Sequence, residues 1–271
     1  MADATPRSLD PPVGLVPLGG ARVRPDRGFL WETIVNGPVR SRRLGLSLGL
    51  NLLPARSKLC SFDCPYCECG FNTAKAADAR WPSPDEIAHS LRLALERSAG
   101  APDWITFSGN GEPTLHPRFP VVVDRVLAVR AEVASGARVG ILSNGITAAI
   151  PAVRDALLRL DGRMMKLDPG PPGRANGVAV DAAQLVPFYR MLTPYVVQAM
   201  VARGTDWDGS SDESLAAWLP VLVAAAPDRV HLYSVARPPA DPAIQKVSRE
   251  RLLEMAVAIR EVLPRCVVDV F

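Results

Sequence analysis

The side chains best suited to chemistry are three cysteines within one short segment, Cys60-Ser-Phe-Asp-Cys64-Pro-Tyr-Cys67. Cysteine sulfur is the usual protein ligand of iron–sulfur clusters. Three thiolates on one loop can hold three irons of a cubane cluster and leave a fourth iron without a protein ligand. Open coordination distinguishes a reactive metal site from a closed structural one. The spacing therefore predicts a [4Fe-4S] cluster on Cys60, Cys64 and Cys67, with the chemistry at the vacant position.

Zinc binding and disulfide bonds are the alternative uses of these cysteines. Structural zinc takes four ligands, commonly in two separated pairs, and the nearest fourth thiol, Cys69, lies very close to Cys67 in sequence. The chain would have to bend sharply for both to bind one tetrahedral ion. An odd count of 5 cysteines disfavours a disulfide framework. Cys69 and Cys266 are expected to be ordinary residues, since free cysteine often packs as a small apolar side chain.

Short apolar runs alternate with longer amphipathic stretches after residue 43, which is typical of repeated βα units. The apolar runs predict strands at Leu44–Leu53, Trp104–Ser108, Val139–Ser143, Arg163–Leu167, Tyr195–Val201 and Val230–Val235. Apolar residues three and four positions apart predict helices at Pro84–Arg97, Phe119–Glu132, Ala148–Leu160, Asp181–Leu192, Ser214–Ala226 and Ser248–Leu263. A last short strand is expected at Cys266–Phe271. We expect a single α/β domain over residues 35–271, a partial (β/α)6 TIM-like barrel, after a tail and lead-in segment at residues 1–34.

The unusual polar, glycine and proline residues follow the ends of the predicted strands. After the cysteine loop, these segments are Ser108–Pro113, Ser143–Gly145, Leu167–Gly170, Arg203–Thr205 and Ala236–Pro239. In barrels and open α/β sheets the carboxyl ends of the strands share one rim, and that rim holds the active site. Glycine and proline also favour loops for their own reasons. Their repeated occurrence at one edge nevertheless predicts a site there.

Two of these segments resemble the motifs of radical S-adenosylmethionine (SAM) enzymes. Cys60–Cys67 matches the CxxxCxΦC signature of that superfamily, with Tyr66 as the aromatic residue. Phe107-Ser-Gly-Asn-Gly-Glu-Pro-Thr-Leu-His-Pro117 is similar to its glycine–glycine–glutamate motif, with Asn110 in place of the first glycine. Further likeness to the branch related to wyosine-tRNA synthases lies in Gly37–Gly45, Asn51–Pro54 and Leu232–Pro239. The resemblance covers most of residues 35–271.

The resemblance implies the cofactors and the reaction. SAM would chelate the unique iron of the [4Fe-4S] cluster, and its reductive cleavage would give methionine and a 5′-deoxyadenosyl radical that abstracts hydrogen from a substrate. Such chemistry belongs to the cofactor, while the protein binds, orients and excludes water. An oxygen-sensitive enzyme of this kind would need an electron donor such as flavodoxin or ferredoxin.

The resemblance also implies which residues hold SAM. Tyr66 is expected near the adenine, through stacking or backbone hydrogen bonds. Gly109, Asn110 and Gly111 are expected to present backbone groups to the methionine end, because a β-carbon would hinder close approach. Glu112 would anchor this loop electrostatically or simply cap it.

Ser143 and Asn144 are the candidates for binding the ribose hydroxyls, since both side chains donate and accept hydrogen bonds. A turn built on Asn-Gly is the alternative role.

Three charged residues are the candidates for catalysis. Lys166 and Asp168 alternate along the fourth predicted strand and would therefore point to the same face. There they could bind the SAM carboxylate or the substrate, or they could form a structural ion pair. Arg237, and with it Gln198 and Arg203, is placed at the same rim by the position of its strand.

The charge balance limits the classes of partner. A net charge of +3 gives no strong field for nucleic acid or a membrane. The cluster of Arg40, Arg42 and Arg43 could meet a phosphate or a carboxylate, or form a solvated arm. Reduced cysteines, no signal-peptide pattern and no long apolar run predict a cytoplasmic protein without membrane association.

The preferred interpretation is a radical SAM enzyme acting on an unidentified substrate. The likeness to wyosine synthases suggests tRNA modification, but those enzymes are described as using further cysteines before the barrel, and residues 1–59 contain none. The nearly neutral charge also offers little basic surface for tRNA. A glycyl-radical-type activase of a partner protein is a second enzymatic interpretation. A non-catalytic iron–sulfur or zinc sensor is a third, although it leaves the glutamate motif unexplained.

Overall fold

The computed structural model describes residues 21–24, 28–72, 80–98, 100–171 and 173–271. Its strands are β1 (Ala21–Arg24), β2 (Gly28–Trp31), β3 (Val35–Ser41), β4 (Gly45–Leu50), β5 (Trp104–Phe107), β6 (Arg138–Ser143), β7 (Gly162–Lys166), β8 (Val196–Met200), β9 (Ala202–Arg203), β10 (Arg229–Tyr233), β11 (Gln245–Lys246) and β12 (Val267–Val270). Its helices are α1 (Pro84–Glu96), α2 (Phe119–Val133), α3 (Pro151–Leu158), α4 (Val186–Arg190), α5 (Asp212–Ala225) and α6 (Arg249–Val262).

One curled 8-stranded sheet in the order β12-β10-β8-β7-β6-β5-β4-β3 forms a half-barrel. The strands from β4 to β12 run parallel, and β3 pairs antiparallel with β4 at the edge. A helix follows each of β4, β5, β6, β7, β8 and β10 along the chain. The prediction of a single α/β domain with a partial (β/α)6 barrel is therefore confirmed, and the expected last strand is β12.

The sheet and its helices share one hydrophobic core. Strand residues such as Ile105, Ile141 and Val197 are inaccessible to solvent, as are Val122 on α2 and Met255 on α6. Strands buried on both faces are expected in parallel sheets, because helices cover them. This core fixes the strand ends, and with them the loops that carry the candidate site.

Capping residues explain where several helices begin. Ser83 and Glu86 form a reciprocal capping box at α1, and Ser211 and Ser248 cap α5 and α6. The predicted helix Ala148–Leu160 is shorter in the structure because Pro151 opens α3, and Ile150 before it is extended.

The helix predicted at Asp181–Leu192 is also reduced. It consists of a 3-10 turn at Ala182–Leu185 and the single short helix α4.

The first parallel strand ends earlier than predicted, at Leu50. The side chain of Asn51 bonds both the carbonyl and the N–H of Leu53, at 3.0 and 3.3 Å, and turns the chain out of the sheet. Strand β3 and the β1–β2 hairpin were not predicted, since the first predicted strand began at Leu44. The tail predicted within residues 1–34 lies largely outside the described residues. In the described part of the chain no helix is both long and apolar enough to cross a bilayer.

Candidate active site

The cysteine loop leaves β4 and is fastened by two residues that the sequence analysis did not identify. The buried ammonium group of Lys58 donates to Asp63 Oδ1 at 3.1 Å and to the carbonyl of Gly70 at 2.7 Å. Asn72 Nδ2 donates to the carbonyl of Cys60 at 3.0 Å, and Asn72 Oδ1 accepts from the N–H of Cys60 at 3.0 Å. These bonds join the beginning of the loop to its end, so the predicted ligands lie on a closed loop.

The thiols of this loop differ in acidity. Burial raises the pKa of Cys60 to about 12 and that of Cys64 to about 11. The neighbouring Cys69 side chain, together with the charge of Lys58, lowers the pKa of Cys67 to about 6. The Cys69 thiol itself donates to the carbonyl of Gly109 at 3.5 Å. Cys69 was expected to be an ordinary residue, but it interacts with the predicted ligand Cys67. Its own pKa is raised.

The donor set fits an iron–sulfur cluster in kind. Cys60, Cys64 and Cys67 are free thiols on one loop, and thiolate is the ligand that such clusters require. Within the described residues, no three Cys, His, Asp or Glu side chains converge as a metal site. Loading a cluster would therefore require the three thiols to turn toward one another.

The loop after β5 is bound directly to the cysteine loop. The N–H of Leu59 donates to the carbonyl of Asn110 at 2.9 Å, and the N–H of Glu112 donates to the carbonyl of Leu59 at 3.0 Å. A β-carbon on Gly111, which has φ +140°, would lie 1.8 Å from the Leu59 carbonyl oxygen, and one on Gly109 would lie 2.3 Å from Asn51 Oδ1. The structure thus gives these glycines a role in packing two loops together; their predicted contact with SAM stays a prediction.

Asn110 has a structural role. Its buried side chain accepts from the N–H of Trp31 and donates to the carbonyl of Trp31, both at 2.8 Å. A second donated bond reaches the carbonyl of Pro54 at 3.0 Å. The side chain that replaces the glycine of the motif therefore binds β2 to the site loop, and its amide groups are occupied by the protein.

Glu112 joins the loops after β5 and β6. Its carboxylate accepts from Ser143 Oγ at 2.8 Å, from the N–H of Asn144 at 2.7 Å, and from the hydroxyl and N–H of Thr114 at 2.6 and 3.1 Å. Burial raises the pKa of Glu112, and the four donated bonds oppose that shift. Both roles predicted for Glu112, anchor and cap, describe this arrangement.

Asn144 reaches the cysteine loop from the end of β6. Its Nδ2 donates to Ser61 Oγ at 2.9 Å and lies 3.6 Å from Cys60 Sγ. The Ser143 hydroxyl is engaged by Glu112 and by the N–H of Gly145. The loops after three successive strands, predicted from separate motifs, therefore meet at one point. Whether Ser143 and Asn144 bind a ribose stays a prediction.

Buried Tyr66 and the half-buried Lys166 and Asp168 form a group beside Cys64. Lys166 Nζ lies 3.0 Å from Asp168 Oδ2 and 4.5 Å from the centre of the Tyr66 ring. The Tyr66 hydroxyl donates to Asp168, whose Oδ1 also accepts from the N–H of Met200 at 2.8 Å. Burial alone would lower the pKa of Lys166, but the charges of Asp168 and Cys64 outweigh it and the pKa is raised. The two residues share a face as predicted and form an ion pair.

Arg237 is not brought into this group. It is exposed and forms an ion pair at 2.6 Å with Glu68, the residue that follows Cys67. Arg203 likewise pairs with Asp208 at 3.0 Å. Gln198 does lie near Lys166, opposite it on the neighbouring strand.

A cavity of about 500 Å³ lies near the segment between β4 and the cysteine loop. Its wall includes Glu32, Asn51, Ser57 and Arg80. None of the predicted site residues lines it, so the volume of this cavity does not bear on the candidate site.

Comparison with known proteins gives relatives that match this chain over part of their own length. No protein-family model matches the chain. A protein of Brachyspira hyodysenteriae named GTPase Obg is 30% identical over 212 residues, which are 75% of this chain and 30% of that protein. A Helicobacter pylori protein named UPF0026 is 27% identical over 246 residues, covering 83% of this chain and 73% of the relative. This chain thus spans less than a third of the first relative.

Three solved structures share the fold. A radical SAM methyltransferase from Sphaerobacter thermophilus matches 94% of this chain and 77% of its own, with a TM-score of 0.60 and 14% identity. Streptococcus suis SuiB bound to S-adenosylmethionine matches 82% and 50%, with a TM-score of 0.58 and 15% identity. TYW1 with a lysine-pyruvate adduct matches 79% and 73%, with a TM-score of 0.57 and 15% identity. The resemblance to radical SAM enzymes, including a wyosine-branch protein, is thereby confirmed for the fold.

Proposed function

We propose that this chain is a radical SAM enzyme in which Cys60, Cys64 and Cys67 hold a [4Fe-4S] cluster. The proposal depends above all on one observation: the cysteine loop, the Gly109–Glu112 segment and Ser143–Asn144 are hydrogen-bonded to one another at the rim of a barrel of the radical SAM type. Loops from three strands meet where the superfamily motifs would require them to meet.

When bound, the cluster and SAM would supply a 5′-deoxyadenosyl radical that takes a hydrogen atom from the substrate. The residues of this chain would hold and orient those groups. Lys58 and Asn72 keep the thiol loop closed, and Glu112 fixes the two neighbouring loops against it. Tyr66, Asp168 and Lys166 would form the wall on the Cys64 side, where Tyr66 and Cys64 are buried.

The substrate is proposed as a molecule other than tRNA. The likeness to TYW1 favours a tRNA-modifying enzyme as the second candidate. Against it are the absence of cysteines from residues 1–59 and a net charge of only +3. GTP hydrolysis, the activity in the name of the Brachyspira relative, is not part of the proposal. A nucleotide-binding P-loop needs a Gly-Lys pair, and the 271 residues contain none.

Anaerobic reconstitution with iron and sulfide, followed by reduction in the presence of SAM, tests the proposal. We expect release of 5′-deoxyadenosine, measured by chromatography, first without substrate and then with bulk tRNA. A cytoplasmic flavodoxin or ferredoxin is proposed as the natural electron donor, and dithionite serves in its place. An increase on adding tRNA would favour the second candidate.

Cys69→Ala is the informative variant in this assay, because Cys69 contacts Cys67 but is not a proposed ligand. It should retain iron and product release. Loss of the cluster in Cys69→Ala, or zinc in place of iron in the wild-type protein, would contradict the ligand assignment and favour a metal-binding sensor.

A further inference from the structure

A row of polar side chains crosses the face of the half-barrel formed by β7, β8, β10 and β12. Lys166 stands opposite Gln198, Gln198 opposite His231, and His231 opposite Asp269 in the parallel register. Residues opposite each other in neighbouring strands point to the same face of a sheet. Because Lys166 contacts Tyr66 of the cysteine loop, this face is the one turned toward the thiols.

Arg43 reaches this row from the far side of the half-barrel. It belongs to the turn that precedes β4, yet its guanidinium donates to Gln198 Oε1 on β8. The same guanidinium lies 4.4 Å from the centre of the Tyr233 ring at the end of β10. Strands β5, β6 and β7 lie between β4 and β8 in the sheet, so the side chain spans the concave face.

The guanidinium of Arg43 has no carboxylate partner in the described part of the chain. Among the residues that the structure describes, no carboxylate lies within ion-pair distance of it, and its one side-chain bond is to a neutral amide. Half-buried Arg251, by contrast, pairs with both Asp212 and Glu254. A guanidinium has five N–H donors, so most of those on Arg43 have no acceptor in the described protein.

The neighbouring titratable groups do not compensate for Arg43. Asp269 is paired with Arg229 and lies behind His231. Burial, and then the charge of Arg43, lowers the pKa of His231 to about 4, so this imidazole is neutral at neutral pH. Lys166 is neutralised by Asp168. The net local charge around the Arg43 guanidinium is therefore positive.

We propose that Arg43 is the anion-binding group of the substrate site, and that the substrate carries a carboxylate or phosphate that binds the open edge of its guanidinium. The planar donors of arginine suit both groups, which they bind in a bidentate manner. Gln198 and the Tyr233 ring hold the guanidinium in place before binding. The inference depends on the proposed function, because it takes the inside of the half-barrel as the reaction chamber.

Anion titration of the full-length protein tests this role without requiring turnover. The arginine Nε–H resonances are followed by NMR while inorganic phosphate, and in a second arm acetate, is added. We expect one Nε–H signal, assigned by its loss in Arg43→Gln, to shift saturably in at least one arm. Isothermal titration calorimetry with the same anion measures the affinity of the wild-type protein and of each variant, since it needs no arginine signal. The affinity should fall roughly tenfold or more in Arg43→Gln, because a charge-assisted hydrogen bond is lost.

Arg42→Gln is the matched control, since Arg42 lies next to Arg43 in the same turn and is exposed. It should bind the anion like the wild-type protein, and Arg43→Lys should retain part of the affinity. The arm that saturates distinguishes phosphate from carboxylate. No saturable shift in either arm, or equal binding by Arg43→Gln, would overturn the inference. Failure to release 5′-deoxyadenosine would instead overturn the proposed function, and the titration is independent of that result.

Discussion

The two halves of the barrel rim are built differently. In the first half, which we call the thiol half, the loops after β4, β5 and β6 are joined by backbone contacts and by hydrogen bonds to one carboxylate, Glu112. In the second, the charged half, β7, β8 and β10 carry Lys166, Gln198 and His231 in register. The thiol half therefore depends on close fit, and the charged half on electrostatics. This difference suggests that the first half holds the cofactor and the second half the substrate.

Removing one predicted ligand should have the largest effect in the thiol half. Cys64→Ala should abolish iron binding and SAM cleavage, because the two proposed ligands that remain, Cys60 and Cys67, cannot hold the cluster by themselves. Iron and sulfide per chain are measured after anaerobic reconstitution. Cys266→Ala is the control, since Cys266 lies just before β12 and outside the cysteine loop, and it should bind iron normally. A Cys64→Ala protein with a full cluster would contradict the assignment of Cys64 as a ligand and of the thiol half as the cofactor site.

Close fit between loops predicts a large stability effect at one glycine. Gly111→Ala would place a β-carbon 1.8 Å from the Leu59 carbonyl at φ +140°. We expect the free energy of unfolding to fall by about 3 kcal/mol or more, because the substitution both strains the backbone and displaces the neighbouring loop. Urea denaturation measures it. At Gly136 a β-carbon would meet nothing within 4 Å, so Gly136→Ala should change stability by less than about 0.5 kcal/mol.

Glu112 should connect stability with SAM affinity. Glu112→Ala leaves the N–H groups of Asn144 and Thr114 and two hydroxyls without their acceptor, at an expected cost of about 2 kcal/mol. Because the same carboxylate positions the loops around the thiols, the dissociation constant for SAM should rise about tenfold before iron content changes. Calorimetric titration of the reconstituted protein tests this, with exposed Glu261→Ala as the control. Unchanged SAM affinity would leave Glu112 a structural role alone.

The charged half should respond to pH through His231. Its pKa in the folded state is about 4, below the ordinary value of 6.5, so the unfolded chain takes up the proton first as the pH falls. The stability that His231 contributes is present above pH 6.5 and is lost as the pH falls toward 4. We expect a loss of about 2 kcal/mol between pH 7.5 and pH 5. His231→Gln should flatten this slope in urea denaturation, while the exposed His89→Gln should leave it unchanged.

The smallest effect is expected at Arg237. Its ion pair with Glu68 is solvent-exposed on both sides, and exposed pairs contribute little. Arg237→Gln should therefore change the free energy of unfolding by less than about 0.5 kcal/mol. A fall in the free energy of unfolding well above that value, measured by urea denaturation, would mean that the Arg237–Glu68 pair contributes to stability like the ion pair of the charged half.

The sequence predicted the elements and the meeting of the loops because both depend on local patterns. Apolar runs located the strands that alternate with helices, and Lys166 and Asp168 were recognised by their spacing along one strand. The contact of Asn110 with Trp31 and that of Arg43 with Gln198 join residues 79 and 155 positions apart. No local pattern reveals such pairs.

The metal-binding chemistry of the cysteine loop was also easier to recognise than the hydrogen bonds that hold the loop closed. The spacing of the cysteines pointed to a cluster, but the bonds of Lys58 and Asn72 depend on where the loop closes. The glycines beside Glu112 were expected to make room for SAM, which stays a prediction, but their close approach to Asn51 and Leu59 was not foreseen. Arg237 was grouped with Lys166 by its position after a strand, and the structure pairs it with Glu68 beside Cys67.

Electron paramagnetic resonance of the reduced protein, with and without SAM, tests the central claim most directly. A cluster held by Cys60, Cys64 and Cys67 has one iron without a protein ligand, so adding SAM should change the signal of the reduced [4Fe-4S] cluster. A signal that is identical with and without SAM, or a protein that takes up zinc and shows no signal, would contradict the account.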